Sequence, residues 1–577
     1  MRIKGLLVAG AVLALALPAL AQQAVPPQPT PALSQPATNA ATTATPTDSA
    51  GERDTSVTEL NVAQLPPPPP PIEYPAHARR DPFVVGRIDP VAAGLGDNPW
   101  GGANGTFLSS LMRRMDTPLA SRWAHIALRN ALLAKAHAPV GVNPIDWVAE
   151  RSWLLLRLGE ADGARLLVAG VDSDRFTPKM TQVGVQSALA NADPPALCPL
   201  EDGLKKDDPG IQRLVQAMCA SLAGQPEAAA AMIDQARRYG RIGGVDLTLA
   251  EKVVGAGANG RTATIEWDPV DTLTAWRFGL ATGTGATPPD RLLDGSPTQL
   301  RAFQARAPLL SPQQRLPSAM IAAGLGVFSS QTMVDLYSSI YDSTDPSDLA
   351  NTDAWQLRQA FVGKDSETRL AAIRKLLSAA KNGLQKEAAR ALVARAATLI
   401  TPDAKLAKDA PDLIAAMLAG GYDEAAARWI PAVNGMDNED ADRCWAMLAL
   451  GAPNVAEVGT SRITSFIRRD ISKDQVRSAF LVAGLAGLGR ISADTANSLN
   501  RRYGLSLGHV SSWTRIIDAA AGRRQGGTVL VLTGTGFQTP QFDGVPSAHL
   551  YHAVSALNRT GQGFTARMIA AEALSRT

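Results

Sequence analysis

Five short segments of the chain place a glycine five residues ahead of an alanine, each between two runs of helix-forming residues. They begin at Gly159, Gly224, Gly383, Gly420 and Gly561, and their alanines are Ala164, Ala229, Ala388, Ala425 and Ala566. Glycine closes a helix well because it enters the left-handed conformation without a Cβ penalty. Residues such as Glu160, Glu227 and Asp423 then open the next helix, where the dipole favours negative charge. A small alanine lets the two antiparallel helices approach closely. The turn recurs in a chain rich in Ala and Leu and poor in β-branched runs, which predicts an all-α protein of stacked helix hairpins. Stacked hairpins pack on their neighbours, so 577 residues need not share one globular core.

The Gly420 segment continues with Tyr422, Asp423, Glu424 and Ala425, and Ala432 supplies a second small residue further on. Ala236 and Ala573 do the same after Gly224 and Gly561. In these features the chain resembles the tetratricopeptide (TPR) repeat, best over residues 405–435. The large aromatic and the Gly of that repeat's first helix are mostly missing, and the glycine spacings are not multiples of its roughly 34 residues. The resemblance implies a TPR-like α-solenoid, whose concave face takes peptides or protein partners. A generic helical bundle with glycine caps is the other reading of the same turns. The helical arm of periplasmic soluble lytic transglycosylases is similar in architecture alone.

The first residues predict export. Met1-Arg2-Ile3-Lys4 is a short basic start, Gly5 to Leu17 is apolar and uncharged, and Pro18 breaks the run before Ala19-Leu20-Ala21. This is the order of a secretory signal over residues 1–21, with cleavage between Ala21 and Gln22. The apolar run is shorter than the about 20 residues of a membrane-spanning helix. Residues 22–72 read as a disordered linker rich in Pro, Ala and Thr, with polyproline at Pro66–Pro71 acting as an extended spacer or a docking peptide. Asp81-Pro82, Asp89-Pro90 and Asn98-Pro99 mark an irregular lead-in over 73–105. The helical-repeat body is expected over 106–577, with two arms meeting near 255–270. No later segment is apolar for long enough to span a membrane, so the expected location is the periplasm, with secretion or surface association as the alternative.

Little in the composition specifies a reaction. Removing Arg2 and Lys4 from 56 basic residues leaves 54 against 53 acidic ones, so the basic footprint of a nucleic-acid binder is absent. Of the three cysteines, Cys198 and Cys219 are the disulfide candidates, since export leads to an oxidising compartment; Cys444 sits in an apolar helical run. His549 and His552 share a helix face but have no further ligand at zinc spacing, so no metal is expected. Thr528–Gly536 could be mistaken for a nucleotide loop, yet position 539 is Thr where the full motif has Gly; it reads as an apolar helix from about Gly527 to Leu532, ending at Gly534. Thr282-Gly283-Thr284-Gly285 is a similar imitation. No G-x-S-x-G nucleophile turn occurs, and Glu572 reads as a solvated residue rather than a catalytic acid. Arg165, Arg390, Arg428 and Arg567 follow the turns, either as a basic inner wall or as side chains covering apolar grooves.

These readings converge on an exported, non-catalytic helical scaffold for protein–protein interactions in the bacterial cell envelope, with no cofactor and no nucleic acid. A peptidoglycan- or polysaccharide-binding or -processing protein is the alternative, and a structural surface or secreted component is a third.

Overall fold

The computed structural model describes residues 75–577, apart from 259–262 and 456–457. The expected signal peptide with its Ala21–Gln22 junction, the 22–72 linker and Pro66–Pro71 lie outside the described residues.

The described residues are all-α, with one two-residue antiparallel pairing of β1 (Val84–Val85) and β2 (Ala136–His137) among them. That pairing anchors the lead-in, whose other described residues form a short 3-10 helix at Ala76–Ala78, a single bridge from Ile88 to Ala134, and turns. Helix α1 (Gly105–Arg114) starts at Asn104, whose side chain accepts from Phe107 N–H, and α2 (Arg122–Leu133) starts at Ser121 in the same manner. Both caps satisfy an amide that the first helical turn leaves free. The helices α3 (Pro144–Arg157) and α4 (Ala161–Val168) then form a hairpin at Gly159, whose φ of +87° only glycine adopts without strain. After α5 (Pro178–Ala190), a second hairpin joins α6 (Pro209–Leu222) and α7 (Pro226–Tyr239) at Gly224, and α8 (Gly244–Gly257) packs on α6.

Further along come α9 (Pro312–Leu325), α10 (Gly383–Ala397), α11 (Ala410–Ala419), α12 (Asn438–Gly451), α13 (Thr460–Arg469) and α14 (Val476–Gly487). The chain closes with α15 (Ser512–Gly522), α16 (Gly526–Gly536), α17 (Ser547–Arg559) and α18 (Gly563–Ser575), the last two a hairpin at Gly561. Helix α16 is the Thr528–Gly536 segment, buried along nearly its whole length, as an apolar-all-round helix must be.

Two of the five turn glycines behave differently from expectation. Gly383 does not close a helix: it opens α10, and Asn382 caps that helix by accepting from Gln385 N–H. At the Gly420 turn the left-handed residue is Gly421, with φ +81°, while Gly420 stays right-handed at −86°. Asparagine is a strong N-cap, and a helix followed by two glycines can place its left-handed residue at either one.

Packing also departs from a chain of nearest neighbours. Helix α2 packs on α16 and α18 near the other end of the sequence, and touches α9. Among the described residues the apolar core falls into a large cluster that draws on residues from Val85 to Leu574, a smaller one built between Val185 and Ala281, and a minor one of Ala192, Ala307 and Leu310. Around 255–270, where two arms are expected to meet, Ile265 and Trp267 pack on the smaller cluster while Val270 belongs to the large one, which recruits helices from both earlier and later in the chain; residues 259–262 lie outside the described residues. Cys198 and Cys219 are joined by a disulfide within the smaller cluster's region, with Cα atoms 5.7 Å apart.

Candidate binding cleft

The contact between the two ends of the folded chain is organised by charge. Glu572, on α18, is buried at 6 % exposure, which corrects its reading as a solvated residue. Its carboxylate accepts from Ser121 Oγ at 2.6 Å, Arg122 N–H at 2.8 Å and Trp123 N–H at 3.2 Å. An anion therefore sits at the amino end of α2, where unpaired amides and the helix dipole favour it. Arg122 works in the opposite sense. Its guanidinium donates to the carbonyls of Ala323 at the end of α9, Ala419 at the end of α11, and Phe328. A cation is favoured at helix carboxyl ends for the same reason. Burial pushes the Arg122 guanidinium below its ordinary value, against the pull of Glu572 and Glu387. Arg576 completes the group, donating to Glu572 at 2.8 Å and to the Ala120 carbonyl.

Beside this junction lie two cavities, of about 420 Å³ and about 860 Å³, which share Arg390, Arg443, Arg477 and Ser575 in their walls. The smaller one opens between α11, α12, α13 and the carboxyl end of α18, and the larger one spreads toward the start of α10 and the loop at Pro540–Phe542. Some of the basic groups in these walls are committed to the protein. Arg390 donates to Glu387 at 2.7 Å and to the Ser575 carbonyl, and Arg477 donates to the Thr577 carbonyl at 2.6 Å. Among the described residues the side chains of Lys381, Lys386 and Arg443 make no hydrogen bond or ion pair.

The acids of the cleft are largely occupied. Asp442 is held by Arg462 at 2.6 Å and by Arg469 through two bonds of 2.6 and 2.9 Å. Asp470 accepts from the backbone of Ser472 and Ser478 and from Ser478 Oγ. Burial works against its charge, but those hydrogen bonds outweigh it and keep the carboxyl below its usual range. Glu387 is taken by Arg390, and Asp412 lies 3.6 Å from the same guanidinium. Among the described residues of the two walls, Glu439 is the one acid with no hydrogen bond or ion pair, against the three cations Lys381, Lys386 and Arg443. Such a wall suits an anionic group.

Compared with protein-family models, curated proteins and solved structures, the chain matches none.

The residues that stand out in the sequence are placed elsewhere or used internally. Arg165 pairs with Asp193 at 2.6 Å, Arg428 donates to the Thr398 carbonyl, and Arg567 bridges α18 to Asp423 and the Gly451 carbonyl. Of the four recurring arginines, only Arg390 lines the cleft. His549 lies on the Trp513 ring with its Nδ1 3.2 Å from the Gly536 carbonyl, whereas His552 Nδ1 is 2.9 Å from Asp518. The two rings thus have separate partners, and no group of three metal-ligating side chains occurs among the described residues. Cys444 is buried in α12, its thiol pushed up to about 12 by burial, which disfavours the reactive thiolate. No helix among the described residues is long and apolar enough to cross a membrane. The cleft cations had a faint signal in Lys381 and Lys386 flanking a helix start; Arg443 had none.

Proposed function

We propose that the protein is an exported, non-catalytic helical scaffold of the bacterial cell envelope whose larger cavity holds an acidic segment of a protein partner. The observation that carries this reading is the set of uncommitted cations, Lys381, Lys386 and Arg443, in the wall of an about 860 Å³ cavity. Lining arginines already donate to peptide carbonyls, as Arg390 does to Ser575, so a second peptide laid alongside would meet donors of the right kind. The glycine-turn hairpins and the signal-like residues 1–21 support a repeat-built exported scaffold.

The test is a photo-crosslinking amino acid at Gln541, an exposed residue of the larger cavity's wall, in living cells, with exposed Tyr239 on α7 as the comparison site. The reading expects a discrete protein adduct at position 541 that is absent at 239 and lost in the K386E/R443E double variant. A cleft adduct that survives both charge reversals, or its complete absence, would refute it. Sedimentation of the purified mature chain with peptidoglycan, dependent on the same cations, would favour a glycan binder instead.

A further inference from the structure

The smaller cavity has a different character from the larger one. Its floor is formed by Ala415 on α11, Ala446 and Met447 on α12, Phe466 on α13 and Leu574 on α18. All are core residues, none more than 8 % exposed. Its mouth carries Arg443, which has no partner, and Ile471, which is 93 % exposed. The rim is charged, with most of its acids and bases paired to one another, and an apolar floor under a few available polar groups is the pattern of a small-molecule site; about 420 Å³ lies toward the small end of the roughly 300–1,000 Å³ such sites span.

The surrounding charges narrow the ligand. Asp442 and Asp470 are saturated by Arg462, Arg469, Ser472 and Ser478, so they do not compete for Arg443; the acid that an incoming carboxylate must outcompete there is Glu439, one helical turn away in the same wall. A guanidinium holds a carboxylate through two parallel N–H donors. A neutral apolar molecule would leave Arg443 unused, and a small hydrophilic anion would leave the floor unfilled.

We infer that this cavity binds a free amphiphilic monocarboxylate, an apolar chain of medium length in the floor with its carboxylate on Arg443. The inference goes beyond the partner reading; Arg443 stands in both walls, so the two are told apart by Lys386, which lines the larger cavity and not the smaller: K386E should disturb the partner adduct and leave decanoate binding unchanged.

The probe is decanoate, titrated calorimetrically into the full mature chain, with decanol and acetate as comparisons. Decanoate should bind, while decanol and acetate should each bind about tenfold more weakly or not at all. Arg443→Gln should weaken decanoate by about tenfold or more, and Ile471→Glu should weaken it as well by placing an anion at the mouth. Both side chains are exposed, so neither change disturbs the core. Arg468→Gln, an exposed arginine of α13 outside the cavity wall, should leave binding unchanged. Lack of decanoate binding up to roughly 1 mM, equal affinity for decanol, or equal loss in Arg443→Gln and Arg468→Gln would each overturn the assignment.

Discussion

Replacing Glu572 with Ala should be among the most destabilising single changes in this protein. The carboxylate takes four hydrogen bonds, from Ser121 Oγ, the amides of Arg122 and Trp123, and Arg576. Hydrogen bonds to a charged group contribute about 1.5–3 kcal/mol each, but these share one carboxylate and do not add independently. Removing one partner of a buried ion pair costs about 3–5 kcal/mol, and that range is the expected loss for E572A. E572Q keeps the shape and one acceptor but turns an amide N–H toward existing donors, so its expected loss is smaller, about 2–3 kcal/mol. The assay is urea unfolding of the purified protein followed by far-UV circular dichroism, with hydrogen exchange to locate the effect. Protection should fall in α2 and α18 together, because the carboxylate joins them. A loss below about 1 kcal/mol in E572A, or lowered protection in α18 alone, would refute the view of Glu572 as the tie between the two ends.

Further outcomes follow from single positions. At Gly324 an added Cβ would lie 2.4 Å from the Leu384 carbonyl oxygen; this is backbone that cannot swing away, so Gly324→Ala should cost about 1–3 kcal/mol by overpacking α9 on α10, read as a lower melting temperature. Replacing Cys198 and Cys219 by Ser removes a crosslink spanning 21 residues, expected to cost about 3 kcal/mol and to expose residues 185–281 first in limited proteolysis. Burial opposes the charge of Glu160, yet His125, Arg129 and Arg306 hold its carboxyl below the ordinary 4.5; its stabilisation is present above that value and lost as pH falls through the lowered one, so E160Q should flatten the acid limb of a pH–stability curve. Burial lowers His549 from 6.5 despite the Gly536 carbonyl, which favours the neutral ring in the fold; stability should decline as pH drops below about 6.5, and H549Q should remove that slope.

Local chemistry explains which parts of the fold could be read in advance. Gly159, Gly224 and Gly561 are left-handed turn residues between helices, because only glycine is unstrained there. The apolar segment at Thr528–Gly536 is a buried helix rather than a phosphate loop. At Gly383 and Gly420 the same reasoning is overridden by near neighbours, Asn382 as a cap and Gly421 as an equally permissive residue. The candidate site was far less legible. Arg390 stood out by its place after a turn, but Arg443 is distinguished only by having no partner, a property of its surroundings.

By itself, the sequence determined the helical class and where several hairpins turn, because helix propensity, capping and the left-handed conformation act over a few residues. It also carried the signal-like pattern of residues 1–21. Only the tertiary structure decided that Ser121, Arg122 and Glu572, about 450 residues apart, meet in one buried group. The same is true of which arginines are spent on carbonyls and acids and which stay open to a ligand. Burial and pairing of charge depend on what the rest of the chain brings alongside, and no local pattern encodes that company.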